Sequence, residues 1–351
     1  MLRAPLIAIA MFCLAAVETH AAPPGYDLND VHFHLTNYIQ EGTDIRKFLD
    51  IMGKRVWRVA LFGIPLQQAW SYRVSGDAAP RYYLDTDSDL YYYSFTDAFI
   101  ATAYRSLTAE QQARFDPMIT GFNPADMYAA DHIRRVLQTF PGVFSGIGEF
   151  TIHKEFVSSK IAGDVASLTD PALDRILDFA GEVGLVSLIH NDIHMPFAKP
   201  EQARLYFEQM KALLARHPKT TIIWAHTGLG RIIQPIPGHI ALLEEILNDP
   251  ALSNVHFDIS WNEVAKYVVE TPESVALTAG LLERHPDRFL FGTDEVAPPD
   301  QASYLRIYDQ YAPLWKALPA EASAKLRMGN YERLFDEARR KVRAWEAANV
   351  R

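Results

Sequence analysis

The sequence predicts a (β/α)8 barrel. Three observations carry that expectation: eight short aliphatic or β-branched runs, amphipathic stretches between them, and histidines or carboxylates at the C-terminal ends of the runs. Runs such as LVSLIH, TIIWAH and RFLFGTD are apolar throughout instead of alternating, as in strands buried on both faces of a parallel sheet. A doubly wound sheet is the other architecture weighed. It would place a Gly-rich phosphate loop after the first run, and no such loop is there.

Taken in order, residues 1–22 (MLRAPLIAIAMFCLAAVETHAA) read as a secretory signal peptide. Arg3 supplies the positive start, 6–17 the apolar stretch, and Thr19-His20-Ala21 an A-x-A-like site. The stretch is short of the roughly 20 apolar residues a bilayer span needs. A single barrel domain is expected over 23–351, soluble and exported, either periplasmic or secreted. Its strands are expected at 30–34, 55–62, 117–122, 143–150, 185–191, 220–226, 255–260 and 288–293. Helices are expected at 131–140, 171–183, 200–217, 239–248, 263–284 and 301–318, with a further helix at the C-terminus. Between the second and third strands, 64–114 is far longer than an ordinary βα connection. It holds Trp70, Tyr72, Tyr82, Tyr83, Tyr91, Tyr92 and Tyr93, then a helical pattern at 96–107. We read this insertion as a lid or substrate wall over the catalytic face, or as aromatics packing one loop onto the barrel.

Composition narrows the function. The 351 residues carry 34 Lys and Arg against 43 Asp and Glu, a formal charge of −9. Loss of 1–22 would remove Arg3 and Glu18 together and leave that charge unchanged. An acidic chain without a basic tract points away from nucleic acid and, once the leader is cleaved, from membranes. A small molecule is the expected partner, and a homo-oligomer is compatible with the sequence. The lone cysteine, Cys13, lies in the apolar part of the leader, behind a bulky Phe12 that does not suit a lipoprotein signal. The expected mature chain therefore has no thiol, which excludes disulfide frameworks, iron–sulfur clusters and cysteine nucleophiles.

The chemistry collects at strand ends. His32 and His34 close the first strand in VHFH, and residues two apart on a strand face the same way. Glu149 ends the fourth run, His190 the fifth, His226 the sixth, and Asp294 follows the eighth. Singly, each has an ordinary structural explanation. Together they would bury several polar and charged groups at one place, at high cost unless compensated. A divalent metal compensates them. Imidazole and carboxylate donors without thiolate suit Zn first, with Mn, Fe or Co as alternatives, as one or two ions.

The ordered set His-x-His, Glu, His, His, Asp resembles the amidohydrolase superfamily, in particular its amidohydrolase-related (amidohydrolase 2) branch. The segment GNYERLF is similar to that branch's closing helix, with Asn330, Arg333 and Leu334 matching. The resemblance implies a metal-dependent hydrolase or a non-oxidative decarboxylase. It places His32, His34 and Asp294 on a first metal, with Asp294 as the base that takes a proton from water and hands it to the leaving group. It leaves two versions of the rest. In one, Glu149 bridges to a second metal on His190 and His226. In the other, a single metal takes His32, His34, His190 and Asp294, and His226 polarises the substrate carbonyl.

Weaker substrate-binding candidates are His153, Lys154, Arg231 and Trp261, with Asn262 also near the pocket and Asp192 and His194 as supports for His190. His132, His217, His239, His256 and His285 are assigned no role. The functional expectation is an exported hydrolase acting on a C–N, C–O or related ester-type bond. A decarboxylase is the alternative, and a non-catalytic binding protein the third.

Overall fold

Eight parallel strands form in the expected order: β1 (Leu28–His34), β2 (Val56–Phe62), β3 (Phe115–Ile119), β4 (Gly146–Thr151), β5 (Val186–His190), β6 (Ile222–Trp224), β7 (Val255–Asp258) and β8 (Phe289–Leu290). This is a computed structural model, and it describes residues 23–37, 42–64, 69–70, 84–85, 95–155, 157–158, 160–161 and 164–350. The expected leader at 1–22, with Cys13, lies outside the described residues, as do Tyr72, Tyr82, Tyr83, Tyr91, Tyr92 and Tyr93 of the insertion. Trp70 falls on a short strand, Ala69–Trp70, paired parallel with Leu84–Asp85. Among the described residues no helix is long and apolar enough to cross a membrane.

Each strand pairs with its sequence neighbours, and β9 (Glu295–Val296) brings the chain back beside β1. The last barrel segment is therefore split. Phe289–Leu290 pairs with β7, Val31 N donates to Phe291 O at 3.2 Å, and Asp294 N donates to His32 O at 2.7 Å. Gly292 permits this closure, because a Cβ there would lie 2.7 Å from the His32 Cβ. The result is the TIM-barrel architecture that the sequence predicts.

The principal helices are α1 (Ile45–Met52), α2 (Thr96–Arg105), α3 (Ala129–Thr139), α4 (Pro171–Val183), α5 (Leu205–Arg216), α6 (His239–Leu247), α7 (Pro272–Arg284), α8 (Gln301–Gln310) and α9 (Asn330–Asn349). Two expected helices are broken. The 263–284 pattern gives a short helix, Asn262–Val268, and then α7, because Thr271 caps a fresh start with Pro272 in its first turn. The 301–318 pattern divides at Tyr311, just before Pro313, which cannot donate to a preceding turn.

Inside the barrel, Val31, Ala60, Met118, Val186, Leu188, Ile223 and Leu290 meet Tyr331, Leu334, Phe335 and Ala338 of α9 in one apolar cluster. Each Val, Leu, Ile, Phe or Met among them contributes about 1.5–3 kcal/mol when fully buried. The GNYERLF segment thus closes the barrel floor. Asn330 Nδ2 donates to Pro286 O and Phe289 O at 2.7 and 2.8 Å, and Arg333 donates to Asp287 O at 2.8 Å, fixing the approach to β8. Below the cluster, buried Arg58 pairs with Asp116 at 2.9 Å and with Asp336 at 2.6 Å. The Tyr331 hydroxyl also donates to Asp116. A charge can be buried here only because it is paired and hydrogen-bonded.

Within the insertion, buried Asp97 on α2 ties the chain back to the end of β3. Its carboxylate accepts from Thr120 N and Gly121 N, both at 2.9 Å. Burial outweighs these bonds and pushes its pKa up from 3.8 to about 7. The folded state therefore holds this proton more tightly than the unfolded chain. Its stabilising contribution is complete below pH 3.8 and is lost as pH rises through about 7. In Asp97→Asn, which does not titrate, we expect that loss to vanish. Relative to the variant, the wild type should lose about 4 kcal/mol of unfolding free energy between pH 4 and 8. Denaturant titrations of both proteins across that range check this, and parallel pH profiles would contradict it.

Candidate metal centre

The side chains singled out at strand ends converge at the mouth of the barrel. His32 and His34 sit on β1, Glu149 on β4 and His190 on β5, as the strand pattern requires. His226 and Asp294 differ from the expectation of strand-end positions. β6 stops at Trp224, and His226 and Thr227 turn left-handed at φ 58° and 53°. Asp294 lies four residues past the end of β8, at φ 55°. Such backbone is unfavourable for residues with a side chain and persists only when surroundings fix it. Here the fixing groups are carboxylates: Asp258 Oδ1 accepts from His226 N at 2.9 Å. Asp30 accepts from His32 N, Thr293 N, the Thr293 hydroxyl and the Tyr304 hydroxyl, at 2.6–3.0 Å.

Donor atoms meet in two groups that share Glu149. His32, His34, Glu149 and Asp294 form one, and Glu149, His190 and His226 the other; within each, the atoms lie within 4.8 Å of one another. Asp294 Oδ1 stands 3.1 Å from His32 Nε2 and 3.0 Å from His34 Nε2. Glu149 Oε2 lies 3.8 and 3.5 Å from the same nitrogens, while its Oε1 lies 2.7 Å from His190 Nδ1 and 3.8 Å from His226 Nε2. A third group joins His32 and His226 to Asp258.

Outer partners orient three of the rings. His34 Nδ1 donates to Gly63 O at 3.3 Å, since a carbonyl can only accept. His32 Nδ1 donates to Asp258 Oδ2 at 3.1 Å. The Ser260 hydroxyl gives its proton to Asp258 Oδ1 at 2.5 Å, so His226 Nδ1, 2.8 Å away, is the donor to Ser260 Oγ. Each ring thus turns Nε2 inward. The Nε2 atoms of His32 and His226 are buried without a hydrogen-bond partner among the described residues, because the 3.1 Å approach of His32 to Asp294 is not aligned as a bond. Inward imidazole nitrogens beside carboxylates, each ring held by a donated Nδ1–H, fit a divalent cation and its supporting layer.

The electrostatics agree. Burial would raise Glu149, but Lys154, His190, His226 and His32 hold its pKa well below the ordinary carboxylate value. Burial would likewise raise Asp294, and His32 and His34 hold it well below. Burial opposes a charge on His32, yet Asp294, Asp258 and Glu149 keep its pKa well above the ordinary value, and His34 is raised in the same way. His226 is lowered by burial, which favours a neutral ring.

The weaker candidates separate. Lys154 Nζ lies 3.6 Å from Glu149 Oε1 and 5.2 Å from the Trp261 ring, and Trp261 sits 5.2 Å from the His226 ring. Both face the centre. Arg231 stands 5.6 Å from Trp261 and pairs with Glu263 at 3.2 Å. His153 instead stacks on Tyr206 at 3.9 Å, and burial lowers its pKa to about 4. His194 lies within 3.1 Å of Met195 O and 3.0 Å of Gln234 O, and so braces its loop. Asp192 Oδ1 faces His190 Nε2 at 3.5 Å, the supporting place foreseen for it. Sequence reasoning missed Asp258, Ser260 and Asp30. Asp258 had the signal already used for Glu149, a carboxylate closing an apolar run (VHFD).

Because Asp258 directs both His32 and His226, Asp258→Asn should weaken metal binding about 10–100-fold while the barrel stays folded. Competition with a chromophoric chelator, beside circular dichroism, reads both effects. An unchanged affinity would remove Asp258 from the supporting layer.

The family model described as Amidohydrolase matches residues 29–336. Comparison with curated proteins gave no match. Solved structures of similar fold include a candidate 2-pyrone-4,6-dicarboxylic acid hydrolase from Pseudomonas putida, at 15% identity and TM-score 0.54, covering 89% of this chain and 98% of that one. A 2,6-dihydroxybenzoate decarboxylase from Rhizobium aligns at 15% identity and TM-score 0.52, over 88% and 98%. A dihydroorotase from Campylobacter jejuni aligns at 15% and 0.53, over 88% and 83%. At these identities the likeness speaks for the fold. The family match, which spans every converging side chain from His32 to Asp294, establishes that the chain belongs to the amidohydrolase family of enzymes.

Proposed function

We propose that this protein is a metal-dependent hydrolase that uses activated water on a C–N, C–O or related ester-type bond of a small molecule. The observation that carries the reading is the inward convergence of His32 Nε2, His34 Nε2 and Asp294 Oδ1 within 3.1 Å, beside Glu149. These four would hold the divalent ion, Zn by the nitrogen and oxygen donor set, and His190 with His226 would extend the centre through Glu149. An ion there would supply Lewis-acid polarisation and lower the pKa of bound water to about 7.

The chain's own residues do the rest. Asp294 keeps Oδ1 toward His32 and His34, while its Oδ2 lies 3.8 Å from His226 Nε2 and faces the second group. Oδ2 is the atom that takes the proton from attacking water and returns it to the leaving group. Trp261 and Lys154 form a wall, with an apolar face and a cation against which a substrate can lie. The leader features of 1–22 support export to the periplasm or beyond.

Non-oxidative decarboxylation of a carboxylated ring is the second reading. It is favoured by the two cations over the Trp261 ring, Lys154 Nζ at 5.2 Å and Arg231 Cζ at 5.6 Å, and by the carboxylated substrate named for the Rhizobium structure. Products separate the readings. Hydrolysis in 18O-labelled water places label in the organic product, whereas decarboxylation releases CO2 and leaves the organic product unlabelled.

In Asp294→Asn, turnover should fall about 10²–10⁴-fold, the usual contribution of a positioned base, with most of the metal retained. Steady-state kinetics on a panel of lactones, esters and cyclic amides, together with metal analysis, measure this. A variant that keeps wild-type turnover would sink the assignment of the base.

A further inference from the structure

Beside its place in the wall with Trp261, Lys154 reaches the metal centre itself. It lies five residues past Glu149 on a short strand, His153–Lys154, 8% exposed, with Nζ 3.6 Å from Glu149 Oε1. That oxygen is the one Glu149 offers to the second donor group, 2.7 Å from His190 Nδ1 and 3.8 Å from His226 Nε2; Oε2 serves His32 and His34.

The position is braced on both sides. Before it, the His153 ring stacks on Tyr206 and His153 O accepts from Asp192 N at 2.9 Å. After it, Glu155 takes φ 52°, donates its N–H to Asp192 Oδ2, and accepts from Ile232 N at 3.0 Å. Loops following β4, β5 and β6 thus join to aim one ammonium at one carboxylate oxygen. Its other face meets Trp261.

We propose that the Lys154 ammonium competes with a metal ion at the second donor group, making the two halves of the centre unequal. The half on His32, His34 and Asp294 binds one ion firmly; the half on His190 and His226 fills only against the repulsion of Lys154. Charge supports this. Glu149 and Asp258 are buried, the Asp294 side chain is 8% exposed, and the three bring three negative charges, with His190 and Asp192 facing each other as a pair of their own. Lys154 and one divalent ion bring three positive charges. A second divalent ion, which would take His190 in its neutral form, would leave an excess of one in a buried site, where unpaired charge is costly.

The inference rests on the metal-centre reading, and one experiment separates the two. Wild type, Lys154→Met and the charge-retaining Lys154→Arg are stripped with chelator, reloaded with Zn(II), dialysed against buffered free Zn(II) and analysed for bound metal. Parallel samples reloaded with Co(II) report the same occupancy through absorption and spin coupling. Wild type and K154R should keep close to one equivalent and K154M close to two. The second-ion dissociation constant of K154M should be at least about tenfold lower, roughly 1.4 kcal/mol. Two tightly held equivalents in the wild type, or one in a folded K154M, would overturn the competition and leave the metal centre standing. Two equivalents in K154R would show that the charge is not the cause, which also overturns it. A wild type that binds no metal overturns both readings. Should K154M not fold, Lys154→Gln takes its place under the same expectations.

Discussion

Burying carboxylates among imidazoles is the constraint from which the upper half of this barrel follows. Glu149, Asp258 and Asp294 are all held out of water at the ends of apolar strands. Such groups stay ionised only beside positive charge or hydrogen-bond donors. The protein supplies some of these through imidazoles, the Ser260 hydroxyl and backbone N–H groups. The inward Nε2 atoms of His32 and His226 receive no hydrogen bond from the described residues. A divalent cation is the component that makes this arrangement favourable as a whole, and the outward Nδ1 bonds ensure that the rings wait for it in the right orientation.

A second layer turns strand ends into a site. Asp258 holds both a ring and a left-handed backbone, because its two oxygens serve His32 on one side and His226 N with Ser260 on the other. Asp30 does the same between β1 and the split eighth segment, joining His32 N to Thr293 just before Asp294. The barrel is thereby closed and the general-base candidate presented by one set of bonds. Geometry at the centre and closure of the fold are thus coupled through Asp30.

The floor of the barrel is polar for a different reason. Arg58, Asp116, Tyr331, Arg339 and Asp336 satisfy one another where α9 plugs the apolar interior. These groups stabilise the fold and lie at the opposite end of the strands from the chemistry, in keeping with the division of labour in such barrels.

The sequence by itself determined the eight strands, their parallel order and the six converging side chains. Those features rest on local patterns: continuous apolar runs, and polar residues that end them. It also marked α9, whose Asn330 and Arg333 serve carbonyls near the start of β8. Only the tertiary structure decided that His226 and Asp294 reach the site from left-handed turns beyond their strands, because the bonds that impose those turns come from Asp258 and from His32 O, distant in sequence. It also decided which candidates face the centre. Adjacent residues His153 and Lys154 look equivalent along the chain, yet one stacks on Tyr206 and the other points at Glu149. Pairings of that kind depend on which loops meet over the barrel mouth, and no local pattern encodes such a meeting.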